Sequence, residues 1–233
     1  MSTVSTLANV KYLGESVLNI SHHEKDGTID SVFHEVYDME VYRSPHCGIS
    51  PGDTVIDGGA HYGLFALYAA LSGATEIICF EPDPRTMFEL RWNLSKNLRT
   101  LDLCPAVRYF DRALWDGELP IEFRPAKTAS AGSHVVLPGL RKKAGDIFVQ
   151  TMSLDSLNLK KVDVIKLDIE GSELQALLGM RNTIRRCRPK LMISIYHHRG
   201  DATRLPALID GYDMGYKYET SDADGKHVTG FWY

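Results

Sequence analysis

The chain has 233 residues, 44% hydrophobic and 24% charged, a composition that builds a sizeable core without disulfides or structural metals and excludes disordered, collagen-like and coiled-coil classes. Its 30 acidic and 26 basic residues leave a formal charge of −4, which opposes bulk attraction to nucleic acid or anionic lipid while allowing a local basic patch. At about 150 residues per domain, the length predicts one large domain with extensions.

Cys47, Cys79, Cys104 and Cys187 lie far apart, with no CxxC or Cys/His cluster. They read as reduced, mostly buried thiols of a cytoplasmic protein. Met1 to Ala8 lacks a basic region followed by an apolar stretch, and the longest apolar run, Leu64 to Leu71, is too short to span a bilayer. Neither export nor membrane insertion is expected.

Residues 1–50 read as an irregular, polar extension, with His22 and His23 in solvent and an amphipathic stretch from Phe33 to Tyr42. Glu35, Tyr37, Tyr42 and Arg43 are candidates to reach over a ligand, although packing or surface roles also suit them. After the turn Pro51-Gly52-Asp53 comes a β-branched strand, Thr54 to Asp57, then a glycine turn and a helix over Leu64 to Leu71. Glu76 to Phe80 repeats the strand pattern. Asp83 and Pro84 suit the start of a helix running through Asn97, with Met87, Leu90, Leu94 and Leu98 on its apolar face.

Ala106 to Phe110 is a third strand. From Trp115 to Gln150, prolines and glycines punctuate short strand-like pieces, predicting a hairpin or loop excursion of the kind that often covers a site. Its Lys127, Arg141, Lys142 and Lys143 read as a solvated charged face or a contact for an acidic substrate or partner. Val162 to Asp168 is the next strand, followed by a helix over about Glu170 to Arg186 in which Gly179 marks close packing or a break. Lys190 to Tyr196 is a strand, Asp201 to Met214 a helix, and Tyr216 to Thr220 and Val228 to Tyr233 two last strands. The alternation predicts a parallel α/β sheet finished by an antiparallel pair, over residues 51–233 with an insertion at about 115–150.

Ligands of such sheets sit beyond the carboxyl ends of the strands. Asp57, Glu81, Asp111, Asp168 with Glu170, and His197 with His198 all stand there. Gly58, Gly59 and Gly63 open a backbone approach at a helix N-terminus. Ala60 breaks the GxGxxG fingerprint, and Glu81 follows Asp57 by 24 residues, placed for a ribose diol. A nucleoside without pyrophosphate fits this better than a dinucleotide.

Asp57-Gly58-Gly59-Ala60-His61-Tyr62-Gly63, Phe80-Glu81-Pro82-Asp83-Pro84, Asn93 with Asn97, and Asp163 through Glu173 resemble, in order, the motifs of FkbM-type methyltransferases. Arg188-Pro189-Lys190 and Ser194-Ile195-Tyr196-His197 continue the resemblance, which covers about residues 51–233. His61 stands where that family usually has asparagine. The resemblance implies a class I, Rossmann-like methyltransferase fold: a mostly parallel seven-stranded sheet with an antiparallel C-terminal strand and helices on both faces. It implies S-adenosylmethionine as donor and O-methylation of a sugar, polyketide or other small metabolite.

Carried over by motif, Asp57 and Gly59 would line the methionine side of the cofactor, with Gly58, Ala60, His61, Gly63 and Asp168 among its further binding residues. Glu81 would hold the ribose hydroxyls, with Pro82 beside it in the binding set, and Asp111, or the neighbouring Arg112 and Ala113 backbone, would flank the adenine. For proton removal from the acceptor, Asp168 is the first candidate, His197 the second and Glu170 the third. The plain alternatives are that Asp168 caps a helix, Glu170 complements its dipole and Glu81 caps the helix that follows it. Asp168, Glu170 and His197 are also ligand types for a divalent cation, yet no spacing demands one and none is expected. Lys166 should share a strand face with Asp168 and pair with an acid. The expected partner is a small-molecule acceptor, without nucleic acid or membrane; homo-oligomerisation stays open. A nitrogen acceptor and a noncatalytic nucleoside-binding subunit are the alternative functions.

Overall fold

Val55 and Ile56, Ile77 and Ile78, and Val164 and Ile165 are neighbours in sequence, and each pair divides between two separate apolar cores. This is what a strand buried on both faces does, because successive side chains point to opposite sides. The computed structural model describes residues 7–13, 16–22, 28–125, 132–136, 143–222 and 227–233. Its first elements are β1 (Leu7–Leu13), β2 (Ser16–His22), α1 (Thr28–Phe33), β3 (Thr54–Gly58), α2 (Leu64–Leu71), β4 (Glu76–Phe80), α3 (Pro84–Thr100) and β5 (Ala106–Phe110). Next come β6 (Ala113–Leu114), β7 (Pro120–Arg124), β8 (His134–Val135), β9 (Ile147–Met152), β10 (Val164–Leu167), α4 (Glu173–Leu178) and α5 (Arg181–Cys187). The chain finishes with β11 (Lys190–Ser194), α6 (Asp201–Asp210), β12 (Tyr218–Asp222) and β13 (Val228–Trp232).

Seven strands form one sheet in the order β12-β13-β11-β10-β3-β4-β5. Its pairings are parallel except those of β13, which runs antiparallel to both β11 and β12. Residues of α2 and α3 join the core on one face and residues of α4, α5 and α6 that on the other. The strand order reverses between β10 and β3, which opens a crevice beyond their carboxyl ends.

The extension departs from the expected irregular coil. β1 and β2 form an antiparallel hairpin, and α1 runs on into a wide helical turn, His34–Asp38. Leu18, Ile20, Ile29 and Phe33 are buried in the same core as α2 and α3. His22 is also buried, with its ring edge against Tyr62, contrary to its expected place in solvent; His23 lies outside the described residues.

Two asparagines of α3 explain the docking. Asn97 accepts from Asn19 N at 2.8 Å and donates to Asn19 O at 2.9 Å. Asn93 does the same for Ser21, at 2.7 and 2.9 Å. Four residues apart, the two amides lie on one helix face and satisfy the free edge of β2 as another strand would.

The 115–150 excursion is a separate four-stranded sheet, β6-β9-β7-β8, with β7 antiparallel to β8 and β9. Lys127, Arg141 and Lys142 lie outside the described residues, and Lys143 is exposed. The helix expected over Glu170 to Arg186 is two helices that meet at Gly179 and Met180, and a Cβ on Gly179 would lie 1.8 Å from the Trp115 carbonyl oxygen. The later helix ends at Asp210, short of the expected Met214. Cys47 and Cys79 are buried, Cys104 is exposed and Cys187 half-buried, all as free thiols. No helix among the described residues is long and apolar enough to cross a membrane.

Replacing Asn93 with alanine strands the buried Ser21 amide and carbonyl. Asn93→Ala should cost at least about 2 kcal/mol in chemical denaturation, against less than about 0.5 kcal/mol for the exposed Ser95→Ala.

Candidate functional site

Lys166 projects from β10 beside Asp57 of β3, its register partner. The ammonium donates to Asp57 Oδ1 at 3.1 Å, to Gly58 O at 3.1 Å and to Gly59 O at 2.8 Å. Those contacts use all three of its protons, and both side chains are shut off from solvent. The expected acid partner of Lys166 is therefore Asp57. Burial pushes the Asp57 carboxyl up, and the lysine charge opposes that rise. The ammonium also lies 5.5 Å from the Tyr42 ring centre and 5.7 Å from that of Phe65.

Gly59 fixes the turn from the other side. Its φ is +73°, and a Cβ there would lie 2.0 Å from the Asp168 carbonyl oxygen, so only glycine lets the two strand ends meet. Gly59 and Ala60 both donate to Phe80 O at 3.0 Å. Glu81 follows, buried, and accepts from His61 N at 3.0 Å and Asp83 N at 2.9 Å. Burial lifts its carboxyl to about 7, against those backbone donors. The cap of α3 is Asp83, which accepts from Arg85 N, so Glu81 is not the capping acid.

Beyond β10 and β11, four ionisable groups meet. Asp168 accepts from the Tyr42 hydroxyl at 2.6 Å and lies 3.4 Å from His197 Nε2. His197 Nδ1 is 3.0 Å from Glu173 Oε1, off the line of a good hydrogen bond, so this is chiefly a charge contact. Glu170 Oε2 is 3.7 Å from His197 Nε2. Burial alone would lower the His197 pKa, but Glu173, Asp168 and Glu170 together lift it to about 9. The ring is thus an imidazolium at neutral pH. Burial works against ionised Asp168 as well, but Lys166, His197, Tyr42 and Ser194 hold its carboxyl below the usual range. Burial and then the Asp168 charge raise Glu170 to about 7.

Glu170 adopts a left-handed φ of 55° just before α4 and outside it. Neither it nor Asp168 caps that helix, whose N-cap residue is Ser172. Asp168, Glu173 and His197 each offer an atom within 4.8 Å of the others, a cation-like spacing. The imidazolium already supplies positive charge among these carboxylates.

These parts line one cavity of about 560 Å³. Gly59, Ala60, His61, Glu81, Pro82 and Ala113 line it, as do Asp168, Glu170 and His197. Asp57, Gly58 and Gly63 do not, although Lys166, the partner of Asp57, does. Asp111 and Arg112 pair with each other at 2.7 Å, also away from the lining. Ser31, Glu35 and Tyr42 of the extension line the cavity, and the excursion adds Phe123, Ser133 and Val135. Glu173 and Tyr196 were not singled out from sequence. Glu173 closes the acidic motif already read, and Tyr196 precedes His197, so their positions were visible while their contacts were not.

The methyltransferase FkbM domain matches residues 57–218, more than half of the chain and all of the strand ends just described. The chain belongs to the FkbM methyltransferase domain family. Within it, this member is 30% identical over 136 residues to the hexuronic acid methyltransferase AglP of Haloferax volcanii, a match spanning 57% of this chain and 52% of that protein. It is 26% identical over 156 residues to the 2-O-methyltransferase NoeI of Sinorhizobium fredii, spanning 59% and 61%. The fold matches a crystal structure of methyltransferase FkbM from Methylobacillus flagellatus, with a TM-score of 0.64, 20% identity, and 90% and 48% of the two chains covered. The sheet of this FkbM-domain protein is thus the class I methyltransferase fold.

The raised His197 pKa has a signed consequence. The folded ring binds its proton more tightly than the unfolded chain, whose reference value is 6.5. The cluster therefore contributes stability in full below that value and loses it as pH rises through about 9. NMR titration should find His197 near 9, and Glu173→Gln should lower it by at least about one unit.

Proposed function

We propose that this protein transfers a methyl group from S-adenosylmethionine to a hydroxyl of a small metabolite, a sugar or another natural-product intermediate. The observation that carries this reading is the continuous cavity joining the glycine turn and Glu81 to the Asp168, Glu170 and His197 cluster. The names of AglP and NoeI, a hexuronic acid methyltransferase and a 2-O-methyltransferase, support the sugar hydroxyl. The free cysteines support a reducing, cytoplasmic setting.

The residues present fit such a cofactor. The Glu81 carboxylate accepts two backbone hydrogen bonds and keeps further acceptor capacity for a ribose diol. Phe80, Pro82, Ala113 and Leu114 give that end an apolar slot for a purine. Gly59, Ala60 and His61 would meet the amino-acid end. Bound there, the cofactor would supply an electrophilic sulfonium methyl for displacement by the acceptor oxygen, with the thioether as leaving group.

The chain's own part is proton handling and orientation. Glu170, with a pKa of about 7, is poised to take the hydroxyl proton at neutral pH. Asp168 stays ionised and orients the hydroxyl, fixed by Tyr42 and His197. It is a weaker base than Glu170 because its pKa is held down. His197 enters as a cation that positions both carboxylates, rather than as the base.

Calorimetry should show binding of S-adenosylhomocysteine, weakened at least about tenfold by Glu81→Ala. Turnover should follow a bell, rising as Glu170 ionises near 7 and falling as His197 loses its proton near 9. Glu170→Gln should lower kcat about a hundredfold or more and flatten the acid limb. Absence of nucleoside binding sinks the reading. Binding without turnover of any hydroxyl acceptor leaves a binding module, and turnover of amines untouched by Glu170→Gln assigns nitrogen.

A further inference from the structure

The outward face of α3 belongs to neither core. Taken at 100° per residue, Arg85, Phe88, Trp92, Ser95, Lys96 and Arg99 fall on one stripe. Phe88 is 71% and Trp92 55% exposed, one turn apart. Arg91 flanks them, its guanidinium 4.9 Å from the Tyr109 ring centre. Arg85 is paired with Asp83 at 3.2 Å. Arg91, Lys96 and Arg99 have no carboxylate partner among the described residues, and the one acid of the helix, Glu89, is buried. Charged residues alone would make an ordinary solvated helix face. Two large aromatics held in water among unpaired cations are a different feature.

We propose that this stripe docks the protein on an anionic phospholipid surface, with Phe88 and Trp92 entering the headgroup layer and Arg91, Lys96 and Arg99 meeting lipid phosphates. Trp and Phe suit the interface because each brings an apolar body to its edge, and each basic side chain near an anionic surface adds attraction. The complementarity selects this occupant. A second copy packed stripe to stripe would bring like charges together. A single-stranded nucleic acid needs a groove to cradle it, and Phe88, Arg91, Trp92, Lys96 and Arg99 line neither the site cavity nor the second one beside Arg124 and Asp146. The formal charge of −4 gives the chain as a whole no bulk attraction to the same bilayer, so binding would depend on this local patch. The docking stands apart from the methyl-transfer reading, and either can fail alone.

The test is flotation of the full chain with vesicles of phosphatidylcholine mixed with phosphatidylglycerol, against phosphatidylcholine alone. Binding to the anionic vesicles only is expected, weakening as salt is added. Arg91→Glu with Lys96→Glu should reduce it at least about tenfold. Phe88→Ser with Trp92→Ser should abolish quenching of tryptophan fluorescence by brominated lipid. All four side chains are exposed, so unchanged thermal unfolding verifies the fold of both variants. Failure to bind anionic vesicles overturns the proposal, as does equal binding by the charge-reversed variant. A dimer erased by the aromatic substitutions, or RNA binding erased by the charge reversal without vesicle binding, overturns it in favour of another partner.

Discussion

One ammonium group organises this molecule. Lys166 is buried where β10 meets β3, and its three protons go to Asp57 and to the two glycine carbonyls that begin the turn. A buried lysine is tolerated only when paired and fully hydrogen-bonded. The geometry that satisfies it also turns the Gly58 and Gly59 carbonyls inward, which leaves the other side of the turn for the cavity. The pair at the central strands thus dictates where backbone approaches a ligand.

The second strand end is tied to the same point. Asp168 N donates to Gly58 O at 3.2 Å, and the Gly59 backbone packs directly on the Asp168 carbonyl. Tyr42 then spans the two halves, its ring near Lys166 and its hydroxyl on Asp168. The extension is therefore part of the site's wall. Its hairpin is held by the Asn93 and Asn97 amides on α3, the same helix whose first turn follows Glu81. The helix that holds the hairpin thus begins at the strand end that carries Glu81.

The central sheet was legible because its strands are short and apolar, with glycine or proline turns between them; β3, β4, β5 and α2 begin and end within a residue or so of their expected bounds. The hairpin was not legible. Its edge is satisfied by asparagine side chains more than seventy positions away, a pairing that leaves no periodicity. The helix break at Gly179 was half visible, since glycine marked the place but the pressing Trp115 carbonyl comes from a distant segment. At the site, residue types at strand ends were readable, whereas their protonation was not. By residue type and position Asp168 ranks first as base, His197 second and Glu170 third, and only their neighbours change that order. Three carboxylates around one imidazole make His197 a cation and leave Glu170, in its strained backbone position, as the group that titrates near neutrality.

Lys166 both shapes the cavity and stabilises the sheet, and these two roles separate in one variant pair. Lys166→Met alone leaves a buried carboxylate uncompensated, whereas Lys166→Met with Asp57→Asn removes both charges and should recover most of the lost stability. Calorimetric affinity of that folded double variant for S-adenosylhomocysteine is the direct measurement. A drop of at least about tenfold is predicted, because the two glycine carbonyls are no longer held. Affinity equal to that of the natural chain contradicts the account and reduces the lysine to a structural pair.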